Sequence, residues 1–306
     1  MDLEAEETVS TDRAALSGPI ANSFPACATG TWCQETSPTT GSPLLHAVSA
    51  VSASDVFAVG DSGTIIRRSP TAWTTMTSGT TNNLRGVWAI SSSDVWAVGS
   101  SGTILHFNGT AWSAVSGGGT TNLEAVWASG SSDVWICGGG TVLHWNGSSV
   151  SSAASFTPTL LSISGTSASD VWVAAENGGF HHWNGSAWSA VTPITGTSSY
   201  FAVLAIGAND VWTTTITSSK QSVHWNGTKW TTFATPTSTT FNDLAANSTN
   251  DVWGTAGSGK IGHWNGTAWS VSQPFGTSFG GFWSVATTAT DIWAVGDGAT
   301  IAHMPL

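Results

Sequence analysis

The chain has 306 residues, only 8% of them charged, and a formal net charge of −11. Its seven Lys plus Arg cannot make a basic stripe, so the balance points away from nucleic acid, and an anionic membrane surface would repel the chain. No apolar run is long enough to span a bilayer. A composition rich in Gly, Ser, Thr, Val and Trp but poor in Lys, Glu and Leu favours strands and tight turns over helical repeats.

Residues 1–27 are acidic, with Asp2, Glu4, Glu6, Glu7 and Asp12, and show no apolar core of an export signal. They read as a solvated tail or tether. The Ser/Thr-rich, Lys-poor composition still suggests an extracellular or cell-surface location. Cys27 and Cys33 lie close enough to close a small loop. A disulfide is the preferred reading, with two free thiols as the alternative, and would imply an oxidising compartment. Cys137, in VWICGGG, reads as a buried apolar residue. Three cysteines without Cys-x-x-Cys spacing are not a zinc site, and no metal site is expected.

From residue 28 to 306 one unit recurs. Its anchor, Asp-Val/Ile-Trp/Phe, stands at Asp55, Asp94, Asp133, Asp170, Asp210, Asp251 and Asp291, in steps of 39, 39, 37, 40, 41 and 40 residues. Seven copies at this period predict an all-β fold, a seven-bladed β-propeller of four-stranded antiparallel blades. In the template copy, strand A is expected over 84–90, B over 95–99, C over 103–107 and D over 110–115. Asn108-Gly109 suggests a type I′ turn between C and D, and no helix is expected. The chain stops after the strand C sequence TIAHMPL, whereas TGTWCQETS near the N-terminus resembles the outer strand NGTAWSAVS. A strand around Trp32 is therefore expected to complete the last blade and close the ring, stapled by Cys27–Cys33. The D–A and B–C connections share one face. They vary most, notably the B–C loop of blade 5 with Lys220, so specificity is expected there.

The recurring polar residues have structural readings. Each anchor Asp follows a Ser/Thr/Asn-rich turn and is expected to accept backbone N–H bonds. His106, His144, His182, His224, His263 and His303, with Arg67 in blade 1, share one strand C position. They lie in different blades, too far apart to hold one metal ion. They are expected to pack against neighbouring blades and bond a turn. Five Asn-Gly-Ser/Thr sequons, at Asn108, Asn146, Asn184, Asn226 and Asn265, coincide with the hairpin turns. Calcium has a place open to it at Asp61-Ser-Gly or Asp297-Gly, but no multi-carboxylate loop of EF-hand type supports it. No nucleophile, phosphate-loop or dinucleotide motif appears, so no enzyme and no cofactor are expected.

Most of the 19 Trp recur at three blade positions and read as packing between blades. Trp88, Trp127 and Trp283, near strand A, escape that pattern and are candidate ligand platforms. Tyr200, in blade 5, joins them as an asymmetric candidate.

The phrase DVWAVG…GTILHWNGTAW resembles repeats of secreted bacterial propeller proteins and, distantly, tectonin repeats. The resemblance covers residues 28–306. It implies a propeller fold and a multivalent, lectin-like protein that binds a glycan or surface glycoconjugate without catalysis. A protein-interaction scaffold using the variable-loop face is the alternative. Repeated glycan sites would need the same exposed residues in several blades, whereas a scaffold would need one asymmetric patch.

Overall fold

A computed structural model describes residues 27–194, 199–215, 221–236, 239–276 and 279–306. The expected tail lies, but for Cys27, outside the described residues, as does Lys220 in the blade 5 B–C connection. Seven four-stranded antiparallel sheets form the ring. Six take their strands consecutively. The seventh combines Phe282–Thr287, Asp291–Gly296 and Ile301–Pro305 with the N-terminal strand Cys33–Glu35. Cys33 pairs with His303 and Glu35 with Ile301, next to Trp32 as expected, and the Cys27–Cys33 disulfide is present.

Blade 2 shows why the repeat folds as it does. Strand A (Leu84–Ser91), B (Asp94–Gly99), C (Thr103–Phe107) and D (Trp112–Ala114) run outward from the axis. Val95, Trp96, Ala97 and Val98 are all buried, because the sheet is covered on both faces by neighbouring blades. Gly99 is required by close approach: a Cβ there would sit 2.1 Å from the Asn83 carbonyl oxygen. At the C–D turn only Gly109 takes a positive φ, +89°, so the turn is not type I′. Instead Asn108 Oδ1 accepts the N–H groups of Thr110 and Ala111. Short 3-10 turns, unexpected from the sequence, follow strand B at Asp61–Gly63, Ser100–Gly102 and Asp297–Ala299.

The anchor Asp is structural, but its main partners are side chains rather than the backbone. Trp96 and His106 are cross-strand neighbours, so their rings fall on the same face and stack with centroids 4.5 Å apart. Both then turn a polar edge to one carboxylate: Trp96 Nε1 and His106 Nε2 donate to Asp94 Oδ1 at 3.2 and 2.9 Å. The His–Asp bond recurs in blades 3 to 7 at 2.6–2.7 Å. Blade 1 departs from the pattern at two positions together. Phe57 stands for Trp and Arg67 for His, and the guanidinium lies 4.8 Å over the Phe57 ring while pairing with both oxygens of Asp55. A cation–π contact thus replaces a ring stack on the same carboxylate. The ring of His residues is a set of internal braces, each within its own blade.

These braces make stability pH-dependent. Burial raises the Asp170 and Asp210 carboxyls, but hydrogen bonds from His182 and His224, from Thr166 and Thr249 and from the Trp indoles outweigh it and hold both below the ordinary carboxylate value. Glu35 is held down likewise by His303, Arg68 and Trp73 against its burial. A depressed folded value means that the unfolded chain binds more protons in acid. The contribution is therefore full above the unfolded value of about 4 and lost as pH falls through the folded one. Thermal melts should give a steady Tm from neutral pH down to about 5 and a steep fall below about 4.

Candidate functional site

The seven A strands line a central channel that holds a cavity of about 510 Å³. A buried residue opens the A strand of five blades (Leu45, Leu84, Leu160, Tyr200 and Phe282) and stands two residues before it in the other two (Leu123 and Phe241), each at most 1% exposed. Tyr200 is therefore not a ligand platform. It is an aromatic in the place of a core leucine, packed 5.2 Å from Phe180, with its hydroxyl donating to the Ile194 carbonyl at 3.4 Å. Side chains alternate along a strand, so the next residue faces the channel. At that level stand His46, Arg85, Glu124, Leu161, Phe201, Asn242 and Trp283, all lining the cavity. This ring is the channel mouth on the face of the D–A and B–C connections.

The mouth has an ionic sector and a neutral one. In blades 1 to 3, His46 Nε2 donates to Asp61 Oδ1 at 2.8 Å and Arg85 Nη1 to Glu124 Oε2 at 3.2 Å. Arg85 Nε also reaches Ser100 Oγ at 3.5 Å. In blades 4 to 7 the ring reads Leu161, Phe201, Asn242 and Trp283. Trp283 is 41% exposed and is held upright by Asp297, whose Oδ1 accepts its Nε1–H at 2.7 Å. The other Asp297 oxygen accepts the Gly281 N–H. Asp61 and Asp297 are thus committed to side chains of the mouth. Asn242 Nδ2 donates to the Phe282 carbonyl at 3.0 Å.

The three candidate Trp residues all line the channel but do not share a level. Trp88 and Trp127 lie three residues deeper than the mouth, with ring centroids 6.4 Å apart. Trp127 is only 5% exposed, and its ring reaches blade 4, where a Cβ on Gly165 would meet it at 2.8 Å. Trp88 is half-buried against it. The pair forms part of the channel wall, while Trp283 stands at the rim. Arg85, Leu161 and Phe201, which share the rim, carry no motif of their own in the sequence, and their one signal is that each directly follows the buried residue that opens its A strand.

Polar side chains tie the A strands to one another across the gaps between blades. Ser49 Oγ accepts the Ala89 N–H, Ser164 Oγ the Ala205 N–H and Ser284 Oγ the Val48 N–H. Asp243 accepts the Ser284 hydroxyl at 2.7 Å and the N–H groups of Val285 and Leu244. Burial nonetheless pushes its carboxyl above the ordinary value, outweighing those three donors. Its donors are all from the wall itself, so it is a strut between blades 6 and 7. Cys137 is a free, fully buried thiol whose pKa burial raises.

No family model and no curated protein matches the chain. Solved structures do match its fold. YCF48 bound to a D1 peptide superposes with a TM-score of 0.75 at 15% identity, covering 93% of this chain and 100% of that one. The WD40 propeller domain of Doa1 gives 0.74 at 13% identity, over 89% and 96%. A catalytically inactive virginiamycin B lyase from Staphylococcus aureus, with quinupristin, gives 0.78 at 12% identity, over 90% and 99%. These likenesses establish the seven-bladed propeller. The scaffold is shared by peptide-bound and lyase proteins alike, so activity has to be argued from this chain's own residues. No helix among the described residues is long and apolar enough to cross a membrane.

Proposed function

We propose that this propeller is a non-catalytic scaffold that holds a protein partner at its channel mouth. The observation that carries the reading is the loss of the repeat at one ring. Leu, Tyr or Phe fills the buried position before it in every blade, yet the mouth holds seven different residues: His, Arg, Glu, Leu, Phe, Asn and Trp. The chain is self-similar in its core yet different in every blade at this accessible level, so the mouth presents one asymmetric patch. That is what recognition of one partner requires and what repeated sugar sites do not. Leu161, Phe201 and Trp283, in the same ring as Arg85 but separated from it by His46 and Glu124, suit a segment that offers an apolar anchor and, across the mouth, a carboxylate. The peptide-bound propeller among the structural neighbours is consistent with this use of the fold. The disulfide accords with an oxidising, extracellular setting.

A random-sequence peptide library selected on the purified protein tests this reading. It should enrich peptides with an aromatic or aliphatic anchor next to Asp or Glu. Affinity should fall at least tenfold for Phe201→Ala or Trp283→Ala, each of which removes ~1–3 kcal/mol of anchor contact. Arg85→Glu should lose the acidic preference. Enriched peptides that bind all three variants unchanged would reject the mouth as the site.

Carbohydrate binding is the second reading, favoured by one observation. Trp283 offers an exposed indole face at the rim, a surface on which the apolar face of a sugar ring stacks. Trp88 and Trp127 would then line the deeper channel rather than form equivalent sites. A glycan array, run with and without calcium, separates the readings. Binding that a free sugar inhibits and Trp283→Ala abolishes would favour the lectin.

A further inference from the structure

The sheet that closes the ring gathers metal-ligating atoms from both ends of the chain. Cys27 Sγ, Cys33 Sγ and a His303 ring nitrogen lie within 4.8 Å of one another, the only such group of three among the described residues. Cys27 Sγ is 3.7 Å from His303 Nδ1, and Glu35 Oε1 is 3.2 Å from the same nitrogen. The topology explains the convergence. Cys33 is the register partner of His303, and Glu35, two residues on, points to the same face. His303 is positioned from behind: its Nε2 donates to Asp291 Oδ1 at 2.6 Å, and its ring stacks 3.8 Å from Trp293 with planes 1° apart. Nδ1 is thereby directed at the sulfurs. A carboxylate on the far nitrogen is how metal-binding histidines are commonly oriented.

In the oxidised chain the two sulfurs are bonded to each other and cannot take an ion. We propose that reduction of Cys27–Cys33 converts this cluster into a zinc(II) site formed by the two thiolates, His303 Nδ1 and Glu35 Oε1. The closing strand would then be held by a covalent bond in one redox state and by a metal in the other. An external dithiol supplies the two electrons and two protons that break the S–S bond, and itself becomes a disulfide. Zinc then displaces the two thiol protons to solvent as two Zn–S bonds form. A tetrahedral site with Zn–S of about 2.3 Å and Zn–N of about 2.0–2.1 Å has an S···N edge of about 3.6 Å, close to the 3.7 Å found. Thiolate and imidazole ligands select zinc over calcium or magnesium. Glu35 Oε2 can keep its bonds from Trp73 and Arg68 Nε, while Oε1 exchanges its long 3.4 Å bond from Arg68 Nη2 for the metal.

The test uses the full chain carrying Cys137→Ala, so that only this pair of sulfurs remains. The protein is reduced with dithiothreitol, freed of it without air, and titrated with Co2+. The expected result is one equivalent bound, with thiolate-to-cobalt charge-transfer absorption and tetrahedral ligand-field bands that zinc bleaches. Oxidised protein should show neither. Cys27→Ser, which leaves Cys33, Glu35 and His303 in place and whose fold circular dichroism checks, should lose at least tenfold in affinity and, at saturation, about half the charge-transfer intensity that two thiolates give. Asp291→Asn should weaken binding by about 10–100-fold. A reduced protein without these bands, or one whose binding survives Cys27→Ser, overturns the proposal.

Discussion

Replacing Glu35 by alanine is expected to cost about 3–5 kcal/mol in urea-induced unfolding. Glu35 is 5% exposed and joins the two ends of the ring. Its strand completes blade 7. Its carboxylate receives Arg68 and Trp73 from blade 1 and His303 from blade 7. Arg68 in turn lies 4.7 Å over the Trp293 ring and donates to the Ala53 carbonyl. Alanine would remove the carboxylate that a largely buried guanidinium pairs with and the acceptor of the Trp73 indole N–H. Glu35→Gln keeps the shape and one acceptor, so it should lose less. Equal losses for the two variants would show that the charge is immaterial and that the strand's backbone pairing alone closes the ring. The acid sensitivity of the melting temperature should also diminish in Glu35→Gln, because one of the depressed carboxyls is gone.

Phe241→Ala should cost a similar ~3–5 kcal/mol, through a cavity rather than a lost charge. In blade 6 the third residue after the anchor Asp is Gly254, and the residue before the strand C histidine is Gly262. Other blades have residues such as Ala97 with Leu105, or Ile136 with Leu143, at these places. Phe241 accounts for both glycines. A Cβ on Gly262 would meet its ring at 2.2 Å, and one on Gly254 at 2.7 Å. The ring fills the volume that two aliphatic side chains fill elsewhere and packs 4.6 Å from Trp269. Gly262→Leu should therefore destabilise the native chain by overpacking, and adding it to Phe241→Ala should recover part of the loss. Strictly additive losses in that double-mutant cycle would refute the exchange of volumes.

Much of this arrangement was legible in the residues themselves. The seven-fold period, the four strands per blade and the donation of the N-terminal strand to the last sheet follow from a pattern that recurs along the chain and is split between its two ends. The disulfide was readable from the closeness of its cysteines, and the Asp and His rings as structural from their recurrence at fixed blade positions. Details that depend on side-chain partners were not. Asp94 was expected to serve the backbone and instead serves Trp96 and His106, because cross-strand register rather than sequence proximity sets its neighbours. The Asn-Gly turns look like type I′ in sequence, but the Asn side chain takes over two backbone N–H groups and leaves only the glycine at positive φ.

The ligand platforms show the same division. Trp88, Trp127, Trp283 and Tyr200 look alike as aromatic outliers near strand A. Tertiary structure buries Tyr200 as a core residue, folds Trp127 against Gly165, half-buries Trp88 on it and leaves Trp283 at the rim. One residue of shift along a strand exchanges core for channel, and one blade of displacement changes which neighbour covers a ring. The sequence by itself determined the repeat, its strand content and its closure, because these rest on local periodicity. Only the tertiary structure decided which residues meet at the mouth and at the closing sheet. Those meetings join positions about 40 residues apart between neighbouring blades, and 276 apart between Cys27 and His303, where no local pattern reaches.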